Sequence, residues 1–175
     1  MKSLSEIETV SKRSSRAAGF SWGIAEEVGK NIRILEQFGL GGIKNLNYYF
    51  RIIKNKNFDK LHLIKDENKI EKKEFCPIIA GLSFLDQVRS LEVLKEIKFE
   101  KIAYPLLFLP FISRASEVIG KKLELKIDNR FFLLNFNNSI YSNFLNEGVV
   151  EIGNSVLIRF KENEDSFEEK EWKEL

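Results

Sequence analysis

Apolar residues in the first half of the chain recur every three to four positions, which is the spacing of amphipathic helices. Over residues 3–18 the apolar and small side chains share one side, and the charged side chains share the other. Ser3 and Glu6 have the spacing of a capping box at the start of this stretch. We therefore predict a first helix that ends at Gly19, a residue suited to a left-handed cap.

Two further helices follow the same pattern. Ser21 is a suitable cap for a second helix that runs to about Phe38, with Gly39 as its stop. A third helical stretch covers residues 43–55. The short connections favour a small antiparallel cluster of helices. The apolar arc of the second helix comprises Ile24, Ala25, Val28, Ile32 and Leu35.

The middle of the chain is more varied. Residues 54–74 are polar and charged, with a weak hairpin expected around "KDEN". Pro77 has a position typical of the first turn of a helix. Residues 96–104 are compatible with a strand. A further helix is expected to begin at Pro105 or at Pro110 and to end at Gly120.

From Lys121 the apolar pattern changes to a period of two, which indicates strands. Asp128-Asn129 and Gly153-Asn154 are each flanked by alternating segments, so we predict two hairpins. The fold class is then α+β, with an N-terminal helical cluster packed on a C-terminal antiparallel sheet of about four strands. We expect a single domain over 1–160, followed by a flexible acidic tail over 161–175.

Charge and composition exclude several classes of protein. The net charge is +2, so no bulk field favours nucleic acid or an acidic membrane. Residues 1–75 carry 15 Lys/Arg against 10 Asp/Glu, whereas 161–175 carry 3 against 7. The longest apolar run, 102–112, is shorter than the about 20 residues that span a bilayer. A single cysteine allows no disulfide within the chain. We expect a cytoplasmic protein with no nucleic-acid or membrane partner.

The common catalytic and cofactor motifs are not present in the sequence. One Cys and one His make no zinc site, and no stretch has calcium-loop spacing, so we predict no metal and no cofactor. "FGLGGIKN" lacks the pattern of a phosphate loop and is interpreted as a helix stop and turn. Cys76, before Pro77, could be an activated thiol with His62 as its base, or an inert buried cysteine. An inert buried cysteine needs no catalytic base beside it.

Carboxylates are the remaining candidates. Glu26 lies beside Trp22 at the margin of the apolar arc, with Lys30 and Arg33 on the same side. Asp86 lies inside or next to the apolar arc of its helix, whereas Glu27 faces solvent and pairs with Lys30. A carboxylate in such an arc needs a cation or hydrogen-bond donors. Two hypotheses follow, namely a buried ion pair that holds helices together, or a ligand site. The candidate ligand-binding residues are Arg16, Trp22, Glu26 and Asp86.

Small residues are concentrated around the first helix-to-helix corner. Glycine inside a helix costs up to about 1 kcal/mol relative to alanine, so Gly23 and Gly29 suggest a close neighbour. We predict that the first two helices approach nearly to backbone contact there. The small residues are Ala18, Gly19, Gly23, Ala25 and Gly29.

This corner also carries a family resemblance. A helix that ends in Arg-x-x-Gly is followed by Trp-Gly-x-Ala-Glu-Glu-x-Gly, in which the matching residues include Arg16, Gly19, Trp22 and Gly29. A second match covers "CPIIAGLSFLD". The pattern resembles an uncharacterised bacterial family, the domain of unknown function 3726 family. The resemblance is good across about the first 40 residues and patchy afterwards. The resemblance implies a bacterial cytoplasmic protein and implies no activity.

Three functions compete at this point. The first is a non-enzymatic accessory or regulatory module of a metabolic assembly, with a protein partner. The second is a small enzyme or metabolite-binding protein whose pocket gathers Arg16, Trp22, Glu26 and Asp86. The third, nucleic-acid binding through the basic first half, is disfavoured because Lys alternates with Glu there. A shared pocket for Glu26 and Asp86 would favour the second function. The sequence does not determine the oligomeric state.

Overall fold

The computed structural model describes residues 1–136, 139–144 and 148–161. Helices and strands within these residues form an α+β fold, as predicted. The helices are α1 (Leu4–Ala17), α2 (Trp22–Gln37), α3 (Gly42–Ile53), α4 (Pro77–Leu91) and α5 (Leu109–Ile119). The strands are β1 (Glu67–Asn68), β2 (Glu96–Phe99), β3 (Ile102–Ala103), β4 (Leu123–Ile127), β5 (Arg130–Asn135), β6 (Ser139–Ser142), β7 (Ile152–Gly153) and β8 (Val156–Phe160). Beyond residue 161, the predicted acidic tail lies outside the described residues.

Local capping determines where the first helices begin and end. The capping box of Ser3 and Glu6 is formed, and the Ser21 side chain accepts a hydrogen bond from the backbone of Ile24. Gly19 has a φ of 104°, and the backbone N–H groups of residues 19 and 20 donate to carbonyls of the last turn of α1. This arrangement is a Schellman motif, which turns the chain sharply into α2.

The close approach of α1 and α2 occurs at Gly29. A Cβ atom at that position would lie 2.8 Å from the carbonyl oxygen of Glu8 and 3.3 Å from Cβ of Lys12. Nothing lies within 4 Å of the corresponding positions at Gly19 and Gly23. The predicted contact is therefore confirmed at Gly29, and the prediction that Gly23 serves the same packing is wrong.

The larger sheet has six strands in the order β1-β2-β8-β4-β5-β6, and a smaller sheet pairs β3 with β7. All neighbours in the larger sheet are antiparallel except β1 and β2, which are parallel. The about four C-terminal antiparallel strands that were predicted are confirmed as β4, β5, β6 and β8, and the sheet is larger than they alone would make it. Two of the six strands, β1 and β2, come from the middle of the chain, which the local pattern could not assign to this sheet.

One of the two predicted hairpins is correct. β4 and β5 pair around Asp128-Asn129, and Asp128 has a φ of 54°. The second prediction is wrong, because β7 pairs with β3 while β8 lies between β2 and β4. The bend after Gly153 is held by Asp128, whose carboxylate accepts hydrogen bonds from the backbone N–H groups of residues 154 and 155. This contact joins the bend to the β4–β5 turn.

The hairpin expected around "KDEN" is also wrong. The two residues of β1 pair with β2 instead, and the Asn68 side chain donates to the carbonyls of Lys65 and Lys98. Further along, Pro105 starts a 3₁₀ turn and Pro110 lies in the first turn of α5, which ends at Gly120 as predicted.

A continuous cluster of buried apolar residues runs from Ile7 in α1 to Ile158 in β8. It fills the space between the helices and the inner face of the sheet, where Phe99, Phe108 and Phe132 are fully buried. Among the helices described, none has the length and apolar character needed to cross a bilayer.

Candidate functional site

Arg16, Trp22 and Glu26 come together on the outer surface of α1 and α2. The Arg16 guanidinium lies 4.6 Å from the centre of the Trp22 ring, and Nη1 donates to the carbonyl of Phe20 at 2.6 Å. Trp22 is nevertheless 61% exposed. The tryptophan therefore covers an arginine on the surface and forms no wall of a buried pocket.

The expected environment of Glu26 is wrong, because Glu26 is exposed and pairs with Lys12 at 2.8 Å. The hydrogen bond from Lys12 and its charge hold the pKa of Glu26 below the ordinary value. Glu27, expected to be solvated, is the more buried carboxylate and bridges Lys30 at 3.1 Å and Arg114 of α5. The reason is that α5 packs against this side of α2.

The expected position of Asp86 is also wrong, because its side chain is exposed. The buried side of α4 is formed by Pro77, Ile78, Ala80, Gly81, Phe84, Val88 and Leu91. Ile79, which suggested the position of the apolar arc, is itself 39% exposed. In the described part of the chain no hydrogen bond or ion pair joins Asp86 to Arg16, Trp22 or Glu26. The described contacts thus bring Arg16, Trp22 and Glu26 together through Lys12 and Trp22, and they do not include Asp86.

An apolar cleft lies elsewhere, where α3, the start of α4 and the segment 58–62 meet. Its volume is about 420 Å³, within the range of small-molecule pockets. Most of its lining is aromatic or aliphatic. The lining residues are Phe20, Tyr49, Ile53, Phe58, Asp59, Lys60, Leu61, His62, Cys76 and Ile79.

The cleft is held in place by contacts between distant segments. The backbone of Phe75 bridges Asp59 on one side and Ile102 on the other, which fixes the entry to α4. The carboxylate of Asp59 accepts hydrogen bonds from the backbone N–H groups of residues 71–73. Gln87 of α4 accepts from the backbone of Ile64 and donates to the carbonyl of residue 62. The wall formed by 58–62 is therefore attached at both ends.

Tyr49 lines the cleft from the side of the core. It is fully buried, and its ring centroid lies 6.5 Å from that of Phe20 and 6.1 Å from that of Phe58. Its hydroxyl is hydrogen-bonded to the thiol of Cys76 at 3.0 Å. Burial raises the pKa of both the Tyr49 hydroxyl and the Cys76 thiol. Both groups are therefore protonated at neutral pH and offer little nucleophilic reactivity.

The structure brings Cys76 and His62 to the same cleft, although the hydrogen-bond partner of the thiol is Tyr49. This geometry favours the inert interpretation of Cys76. Among the described residues, no three His, Cys, Asp or Glu side chains are arranged to hold a metal ion.

A second, more polar cavity of about 400 Å³ adjoins the cleft. The two share Phe58, Asp59, Lys60 and His62 as lining residues, so they adjoin along the segment 58–62. We call the two cavities together the groove, with an apolar end and a polar end. Lys69 and Glu71 complete the polar end.

Sequence reasoning missed this groove because its walls come from segments far apart in the chain. Tyr49 is a core residue of α3, and a helical pattern does not show that an open space lies against a core side chain. The available indication was the pair of aromatic residues Tyr49, before the polar segment 54–74, and Phe58, inside it.

Neither the curated proteins nor the solved structures include a significant match to this chain. A family model does match its N-terminal part. That part contains the whole lining of the groove except Ile79. Residues 2–76 match the model of the family described as Protein of unknown function (DUF3726), in agreement with the resemblance carried by the corner between α1 and α2.

Proposed function

We propose that this protein is a non-enzymatic accessory module that binds a small, largely apolar molecule in the cleft around Tyr49. The observation that carries the proposal is the cleft itself, with about 420 Å³ of space against a buried aromatic cluster. Sites for small molecules are typically concave and mostly apolar, with a few polar groups that orient the ligand. Lys60 and His62, the exposed polar residues of its lining, are placed to supply such groups.

The chemistry of the cleft supports binding in preference to catalysis. Burial keeps the thiol of Cys76 and the hydroxyl of Tyr49 protonated, and the two groups satisfy each other. A catalytic thiol would need a base within hydrogen-bond reach, whereas the described partner of this thiol is a phenol. The role within a metabolic assembly, the cytoplasmic location and the bacterial origin stay predictions from the sequence.

The surface group of Arg16, Trp22 and Glu26 is less suited to hold a small molecule. Arg16 is already stacked on Trp22, and Glu26 is already paired with Lys12. Asp86, the fourth candidate, lies exposed on α4 and makes no described contact with that group. The alternative of a small enzyme with a pocket formed by these four residues therefore receives no support from the geometry.

Calorimetric titration with 1-octanol, a small neutral apolar probe, tests the proposal. Ile79→Trp should fill the cleft from its edge, and Ile152→Trp is the matched control because both isoleucines are 39% exposed. We expect saturable binding to the natural protein and to the control, and at least tenfold weaker binding to Ile79→Trp. A probe at 100 times its dissociation constant should also raise the unfolding free energy by about 2.7 kcal/mol.

Two results would overturn the proposal. One is that the natural protein shows no saturable binding of the probe. The other is that Ile79→Trp binds the probe as tightly as Ile152→Trp does. A urea unfolding curve of each variant checks that both are folded, so that a loss of binding reports on the cleft.

A further inference from the structure

We infer that the ligand of this groove is an amphipathic anion, with its apolar part in the cleft around Tyr49 and an anionic oxygen head group at the polar end. The inference rests on the proposed function and adds the charge and orientation of the ligand. It starts from the position of the two cavities, which adjoin at Phe58, Asp59, Lys60 and His62.

The two ends of the groove differ in chemistry. The apolar end is closed by Tyr49, Phe20 and Ile53, side chains that favour hydrocarbon or aromatic groups. The hydrophilic lining of the polar end consists of Asp59, Lys60, His62, Lys69 and Glu71. A ligand that spans the groove must therefore combine an apolar body with a polar head.

The sign of the head group follows from which charges at the polar end already have partners. Asp59 directs its carboxylate to three backbone N–H groups, at 2.6, 3.2 and 3.2 Å, and this occupies its oxygens. Lys60 forms no ion pair within the described residues. Lys69 lies 3.8 Å from Glu67, and its side chain is 71% exposed, so that pair is loose. Glu71, the other carboxylate of the polar end, does not line the apolar cleft. Among the described residues, Lys60 is therefore the charged side chain next to both cavities that has neither an ion pair nor hydrogen bonds to the backbone.

Lys60 is the cation whose position best suits contact with the head group. It lines both cavities and lies next to Asp59 in a segment that is attached to the rest of the fold. An ammonium group there can donate hydrogen bonds to a carboxylate or phosphate oxygen while the apolar part of the ligand extends toward Tyr49. Lys69 adds a second positive charge on the far side of the polar end.

Calorimetric titrations of octanoate, octyl phosphate and 1-octanol test the inference. They use the full-length protein and the variants Lys60→Gln and Lys65→Gln. Lys65 is the matched control because it is exposed in the same region and lines neither cavity. We expect at least one of the two anions to bind the natural protein about fivefold more tightly than the alcohol does. The tighter anion identifies the head group as carboxylate or phosphate.

Lys60→Gln should abolish this preference and keep the affinity for the alcohol, and Lys65→Gln should retain the preference. Equal affinities of all three probes for the natural protein would overturn the inference and leave the proposed function intact. An equal loss of preference in both variants would also overturn it, because the cause would then be bulk charge. Failure of all three probes to bind would overturn the proposed function together with the inference.

Discussion

Replacing Gly29 by alanine tests the backbone contact between α1 and α2. The added Cβ atom would lie 2.8 Å from the carbonyl oxygen of Glu8, closer than such contacts occur in folded proteins. The obstacle is backbone in the middle of α1, so it cannot rotate away as a flexible side chain would. The two helices must move apart or the α2 backbone must distort.

The change in the free energy of unfolding caused by Gly29→Ala is the sum of two opposing contributions. Overpacking of a tight contact costs about 1–3 kcal/mol. A Gly→Ala change stabilises by about 0.4–1 kcal/mol through the unfolded chain where the backbone is compatible. The net loss should therefore be about 0.5–2 kcal/mol, which corresponds to a fall in Tm of about 2–6 °C for a chain of this size.

Gly23→Ala is the matched control in the same helix. Nothing lies within 4 Å of its Cβ position, and its φ is not positive, so only the stabilising term of about 0.4–1 kcal/mol remains. Urea unfolding followed by circular dichroism measures both changes. The reasoning is refuted if Gly29→Ala is as stable as the natural protein, or if the two variants shift in the same direction by the same amount.

The remaining predictions concern charged and reactive groups. Burial raises the pKa of Glu27, but hydrogen bonds from Lys30 and Arg114 outweigh it and bring the pKa below its ordinary value of 4.5. The ionised Glu27 carboxylate therefore stabilises the fold at pH values above 4.5, and this stabilisation is lost as the pH falls through the lowered pKa. Glu27→Gln should cost about 1–2 kcal/mol in urea unfolding at pH 7 and less at pH 3.5, and an equal cost at both pH values would contradict this. Cys76 should react with a disulfide reagent at pH 7 at least a hundredfold more slowly in the folded protein than in urea, and rapid labelling of the folded protein would exclude a buried thiol. Asp86→Ala should change stability by less than about 0.5 kcal/mol, whereas a larger loss in thermal unfolding would restore a buried role for this carboxylate.

Helix boundaries were predictable because the residues that set them are adjacent in the sequence. Ser3 with Glu6, Ser21 and Gly19 act within one turn of the chain, and each has the expected role. The β4–β5 hairpin was predictable for the same reason. Strand partners that are far apart in the sequence were not, since the alternating pattern of β8 is equally compatible with any neighbour.

The candidate site was harder to predict than the fold. Asp86 was assigned to a buried arc because α4 is apolar on several sides, and Ile79 belongs to its exposed side. Glu27 was assigned to solvent because its partner Arg114 lies 87 positions further along the chain. The groove depends on contacts of this long-range kind, which periodicity does not contain.

A crystal structure of the protein with octanoate tests the central claim most directly. The account predicts that the hydrocarbon chain lies in the apolar cleft against Phe58 and Ile79, with the carboxylate within hydrogen-bond distance of the Lys60 Nζ atom. Octanoate bound elsewhere with the cleft empty, or bound with its carboxylate against Tyr49 and its chain toward Lys69, would contradict it.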